Sequence, residues 1–169
     1  MSRLLCAGVM VGILSGSAIA LAEELPREAV LPLSVAVKAA NAALEKCKAD
    51  GWKVSVAVVD RGGIVRVLLR GDGAGPHTAD SSARKAYTAA SIGRTTSEAG
   101  ELMVKYPHLH ELGKMNDRVL ILGGGMPIEI GGEIVGGIGV GGAPGTQLDD
   151  ACSQAGLDAI GAASKLQKK

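Results

Sequence analysis

The side chains of this chain with the most chemistry to offer are three histidines, two of its three cysteines and a cluster of charged and hydroxyl groups around one glycine-rich stretch. Tyr106-Pro107-His108-Leu109-His110 sets two imidazoles two residues apart. On an extended segment such a pair faces one way, a candidate ligand set for haem iron or a divalent metal; the alternative is two solvated loop histidines. His77 borders the glycine stretch that follows Arg70 and could serve the same site. Met103 and Met115 offer soft axial ligands, or simply core filling.

Arg70, Asp72, Arg84, Lys85 and Thr88 fall on that stretch and on the first turns of the segment after it. Cations beside a cleft hold carboxylates, such as haem propionates or a small acid. The competing reading is a solvated helix face with an ion pair at a hairpin end. Residues 137–142, Gly-Ile-Gly-Val-Gly-Gly, match the dinucleotide-binding pattern letter for letter. Their context is wrong, because the glycines lie within a strand pattern and no second strand follows to carry a ribose-binding acid. Such glycines suit a helix, a neighbouring subunit or a flat ligand lying close to the strand. The chain has no G-x-S-x-G, H-E-x-x-H, C-x-x-C or P-loop motif, so hydrolase, zinc-protease, thiol-redox and NTPase readings lack support.

These side chains must be positioned by a small set of elements. Val37, Ala40, Leu44 and Cys47 recur at helical spacing over residues 33–50. Residues 53–59 and 64–70 read as strands joined at Asp60-Arg61-Gly62-Gly63. After a loop over 71–76, a helix over 79–92 turns Ala83, Ala86, Tyr87 and Ala90 inward. Thr95 and Glu98 fit a capping box for a short helix to Lys105. Residues 118–122 read as a short strand, 127–130 and 133–140 as a hairpin over Gly131-Gly132, and 147–165 as a last helix with Leu148, Cys152, Ala155 and Ala159 on one face. The order implies a single α+β domain: a five-stranded, mainly antiparallel sheet with helices packed on it.

At the N-terminus, Arg3, an apolar run over residues 4–14 and the small-x-small signal Ala20-Leu21-Ala22 read as a cleavable secretory signal peptide over residues 1–22, with the domain occupying 23–169. The protein is therefore expected in the periplasm or outside the cell, without membrane insertion after cleavage. The run is broken by Ser15, Gly16 and Ser17, too short to span a bilayer. Cleavage removes Arg3 and no acid, leaving 17 basic against 17 acidic residues, which argues against nucleic-acid and anionic-membrane partners. It also removes Cys6, leaving Cys47 and Cys152 on two inner helix faces in an oxidising compartment. A disulfide there would add roughly 4 kcal/mol; two buried free thiols are the alternative. Three aromatics (Trp52, Tyr87, Tyr106), no Phe and 25 Gly describe a core of small side chains, for which homo-oligomerisation would add burial.

Residues 56–63 (Val-Ala-Val-Val-Asp-Arg-Gly-Gly), 70–74 (Arg-Gly-Asp-Gly-Ala), 84–90 (Arg-Lys-Ala-Tyr-Thr-Ala-Ala), 124–128 (Gly-Gly-Met-Pro-Ile), 136–142 and 147–152 (Gln-Leu-Asp-Asp-Ala-Cys) together resemble the GlcG/HbpS-like haem-binding family. The resemblance spans about 33–165. It implies a compact fold with a five-stranded antiparallel sheet, homo-oligomers and, in some members, bound haem; it carries fold better than chemistry, because the shared motifs are mostly glycine, alanine and strand residues. By position it places a cleft at Arg70, Asp72, Gly73, Lys85, Thr88, Gly124, Gly125 and Pro127, and fixes no haem ligand. The leading expectation is an exported haem- or tetrapyrrole-binding protein for scavenging, storage, redox sensing or haem degradation, with His77, His108 or His110 on iron. The paucity of aromatic rings sits awkwardly with a tight haem pocket, which a site between subunits walled by Val and Ile would relieve. The rival is a small enzyme or binding protein for a low-molecular-weight carboxylate or carbonyl compound, with Lys85 and Asp72 as candidate catalytic groups beside Arg70. A third possibility is a structural accessory oligomer.

Overall fold

A computed structural model describes residues 24–162. The signal-peptide reading falls on residues 1–22 and so lies outside the described residues, among which no helix is long and apolar enough to cross a membrane. In chain order the elements are α1 (Leu33–Ala49), β1 (Ser55–Asp60), β2 (Val65–Arg70), α2 (Pro76–Ile92), α3 (Thr96–Lys105), a 3₁₀ segment (Pro107–Lys114), β3 (Gly125–Ile130), β4 (Glu133–Gly141) and α4 (Thr146–Ile160).

The strands form one antiparallel sheet in the order β2-β1-β4-β3. It has four strands rather than the five expected. The missing strand is residues 118–122, whose backbone finds its partners on α2: Leu120 N–H donates to Thr88 Oγ1 (2.8 Å), and the Val119 carbonyl accepts from Arg84 (2.9 Å). With both groups satisfied by helix side chains, this segment runs along α2 and adds no rung to the sheet.

Helices cover both faces of the sheet. Val56 and Val58 of β1, Ile138 and Val140 of β4 and Met126 and Ile128 of β3 point toward α1 and α4. Ala57 and Val59 point the other way, toward Ala86 and Ala90 of α2. This period-2 division follows from strand geometry, and each large aliphatic buried contributes about 1.5–3 kcal/mol. The side chains that meet α2 are small for a definite reason. A Cβ on Gly137 would come within 2.3 Å of the Ala86 carbonyl, and one on Gly139 within 2.2 Å of the Ser82 carbonyl. The glycine run that mimics a dinucleotide motif is thus the bare strand on which α2 rests.

The helices bury slightly different stripes from those expected. On α1 the buried residues are Ala36, Ala39, Ala40, Ala43 and Cys47, while Val37 is exposed. Alanine brings α1 close to α4, and close approach outweighs the extra apolar area of one valine. On α4 the stripe is Asp149, Cys152, Ser153, Gly156 and Leu157, one position on from the apolar set, so two polar side chains point inward. Cys47 and Cys152 are bonded to each other, joining α1 to α4 with Cα atoms 5.5 Å apart. Helix α2 starts three residues earlier than its alanine pattern suggests, at Pro76 after the N-cap Gly75. Both bonds of the Thr95–Glu98 capping box on α3 are present, at 3.1 Å each.

Candidate functional site

The helical period of α2 that buries Ser82, Ala86 and Ala89 against the glycine strand also buries Lys85, which is 1% exposed. Its ammonium donates to the Val140 carbonyl of β4 (2.9 Å) and to Asp149 Oδ2 of α4 (2.8 Å). Asp149 lies in the first turn of α4, where the helix dipole favours an anion, and its Oδ1 accepts from Ala143 N–H (3.1 Å). Burial pushes the Asp149 carboxyl above the usual carboxylate range, opposed by its hydrogen bond and attraction to Lys85 and by the Ala143 amide; the neighbouring Asp150 charge adds to the rise.

A second tier of hydrogen bonds ties this pair to the start of β3. Asp150 accepts from Gly124 N–H (2.7 Å) and from the Ser97 hydroxyl (2.5 Å). Ser153 donates to the Gly124 carbonyl (2.7 Å), and Gly125 N–H donates to Thr96 Oγ1 (2.9 Å). Gly124 leaves no room for a side chain, since a Cβ there would lie 2.7 Å from the Asp149 Cβ. Three helices and two strands are therefore locked together around one buried ion pair.

Beside the pair opens a cleft of about 290 Å³, walled by the first turns of α2 and α4 and by the connection between β4 and α4. His77, Ser81, Leu122, Ala143 and Thr146 line it, with Lys85 and Asp149. Both flanking helices begin on a glycine, Gly75 and Gly145, with no side chain capping the first turn. The His77 ring folds back over Gly75, where a Cβ would meet it at 2.7 Å.

The residues singled out in the sequence fall in three places. Lys85 and His77 share the cleft, and Gly124 and Gly125 stand behind it. Arg70 and Asp72 do not join them: they line a separate recess of about 410 Å³ with Leu44, Lys48, Trp52 and Lys53. Arg70 spends two donors on the Ala74 carbonyl (3.0 and 2.6 Å), closing its own loop, and Gly73 packs on the Lys53 side chain. Thr88 serves the backbone of α2 and of Leu120, and Pro127 is buried in β3 opposite Gly137. The two recesses open at one end of the sheet, since Ser55 of β1 pairs with both Arg70 and Gly141.

His108 and His110 lie elsewhere, exposed on a 3₁₀ segment. At three residues per turn, positions two apart are two-thirds of a turn from each other, so the pair does not present one face. The extended reading of this segment fails because Pro107 starts a helical turn that the hydrogen bond from Leu109 N–H to the Tyr106 carbonyl secures. Beside it runs an apolar groove of about 250 Å³ that includes Leu109, Leu112 and Met115. Among the described residues no group of three His, Cys, Asp or Glu side chains is placed to hold a metal ion.

Asp149 was not among the sequence candidates, although it completes the site. The signal was an acid three residues before Cys152 on the inward stripe of α4, which an apolar-only pattern passes over. The connecting residues 142–145 were equally invisible, because a wall made by backbone leaves no side-chain signature.

Residues 31–158 match the family described as "Haem degrading protein HbpS-like". A double-mutant crystal structure of HbpS from Streptomyces reticuli is 43% identical, covers 84% of this chain and 97% of its own, and superposes with a TM-score of 0.75. An uncharacterized 15.0 kDa protein of Citrobacter freundii is 34% identical over 115 residues, 68% of this chain and 81% of that protein. Protein GlcG of Escherichia coli is 35% identical over 96 residues, covering 57% of this chain and 69% of GlcG.

Proposed function

This chain belongs to the HbpS-like family, and we propose that it is an exported haem-binding protein acting in scavenging, storage, redox sensing or haem degradation. The observation that carries the reading is the match of residues 31–158 to a family of haem-degrading proteins. Export rests on the leader pattern of residues 1–22.

Of the three histidines, His77 is the one at a cleft, and we assign it the iron, with His108 and His110 as the alternatives. The imidazole is exposed and free to turn outward from Gly75, beside the half-exposed Leu122. At about 290 Å³ the cleft lies below the usual range of small-molecule sites and cannot enclose a macrocycle, so haem would lie across its mouth. Lys53 and Arg70, at the same end of the sheet, would supply cations for propionates. Haem bound there would supply a redox-active iron; the chain's part is to hold and orient it.

Homo-oligomers belong to the same proposal. Helix α2 rests mainly on β4 and leaves β2 partly bare on that face, where Val65 and Leu68 are 44% and 46% exposed beside Ile64 at 61%. A second copy on that patch would bury it.

A hemin titration tests the reading. We expect a Soret band that His77→Ala shifts or abolishes while His108→Ala and His110→Ala leave it in place. A band unaltered by replacing all three would remove the ligand assignment, and no band at all would remove the haem reading. Following absorbance with time under air and under nitrogen separates storage from degradation. N-terminal sequencing of exported protein should begin at Glu23.

A further inference from the structure

We propose that in the haem-free protein the Lys85 cleft itself binds a free small carboxylate. The inference goes beyond haem binding and rests on which polar groups in the cleft are already spent. Asp149 is the one carboxylate lining it, and both oxygens are engaged, Oδ2 by Lys85 and Oδ1 by Ala143 N–H. Lys85, 1% exposed, carries three N–H donors; two go to Val140 and Asp149, and the third has no partner among the described residues. The first-turn amides of Thr146 and Gln147 likewise have no acceptor, because Gly145 provides no side-chain cap. His77 stands at the mouth as a further ring N–H donor.

The cleft therefore offers unspent donors from two walls and no unspent carboxylate. That inventory fits an anion. The positive charge of Lys85 is already balanced by Asp149, so a monoanion suits the site better than a phosphate dianion, which would need further cations to offset its desolvation. A carboxylate has two oxygens and about four acceptor positions, enough for one lysine proton and two amides. The cleft leaves room for a short carbon chain against Leu122.

The test uses the haem-free protein and sodium acetate, with sodium chloride and inorganic phosphate as controls at equal ionic strength, read by nitrogen–proton correlation spectra. Acetate should produce saturating shifts at Ala143, Gly145, Thr146 and Gln147. Thr146→Pro removes one amide donor at a position where proline suits a helix start, after an extended Gly145 (φ −148°, ψ 145°), and should weaken acetate about tenfold. His77→Ala, at an exposed position, is a second variant expected to weaken it. Non-saturating shifts, shifts matched by chloride, tighter binding of phosphate than of acetate, or unchanged binding in both variants would overturn the proposal. Hemin binding that fails while acetate still saturates would remove the haem reading and leave this one standing.

Discussion

Replacing Lys85 by Met should cost about 3–5 kcal/mol of folding stability, because it leaves the Asp149 carboxylate buried without its counter-ion. The magnitude comes from burial: the two side chains are 2% and 4% exposed, their charged atoms are 2.8 Å apart, and solvent does not screen them. With a urea slope near 2 kcal/mol/M, the midpoint should fall by about 1.5–2.5 M. Asp149→Leu should cost a similar amount by orphaning the ammonium. The double variant Lys85→Met with Asp149→Leu should lie close to the parent, because apolar groups of similar volume need no desolvation to be offset. The pH dependence carries a sign. Burial raises the Asp149 carboxyl above its ordinary 3.8, so the folded state holds its proton to higher pH than the unfolded one. Stability therefore falls as pH rises from 3.8 through the raised value. Lys85→Met removes an interaction that holds this rise down, so the variant should regain stability on acidification from pH 7 over a wider span than the parent. Urea midpoints of the four proteins between pH 4 and 8 decide it. A single variant costing under about 1 kcal/mol, or a double variant costing the sum of the singles, would refute the account of an unscreened, mutually dependent pair.

Replacing both Cys47 and Cys152 by Ala should lower stability by about 4–5 kcal/mol, since the bond closes a loop of 105 residues; equal urea midpoints for the variant and parent would contradict it. Gly139→Ala should destabilise by about 1–3 kcal/mol or more, because its methyl would meet the Ser82 carbonyl at 2.2 Å and α2 must lift; thermal melting measures it. Thr95→Ala removes the oxygen that accepts from Glu98 N–H and should cost about 1 kcal/mol, with faster amide exchange in the first turn of α3 as its local signature.

Much of the fold was legible from local chemistry. The Asp60-Arg61-Gly62-Gly63 and Gly131-Gly132 turns, the Thr95–Glu98 box and the Val-rich strands carry signals within a few residues of where they act. Residues 118–122 misled because an apolar run between Asp117 and Gly123 reads alike whether its backbone partners are a strand or the side chains of Arg84 and Thr88. The histidine pair misled for a related reason: i and i+2 share a face only if the chain is extended, and Pro107 allows either state.

The site divides along the same line. By itself the sequence determined the order of the elements apart from residues 118–122, the small-residue strand that must meet something closely and the family to which those motifs point, because each depends on neighbours in the chain. The tertiary structure alone decided that Lys85 meets Asp149 across 64 residues, that Arg70 and Asp72 turn to another recess, and that His77 rather than His108 or His110 borders the cleft. Those outcomes depend on how far α2 settles onto Gly137 and Gly139 and on which stripe of α4 turns inward. Both are set by packing of the whole domain against the burial of a charge, a balance that no short stretch of residues contains.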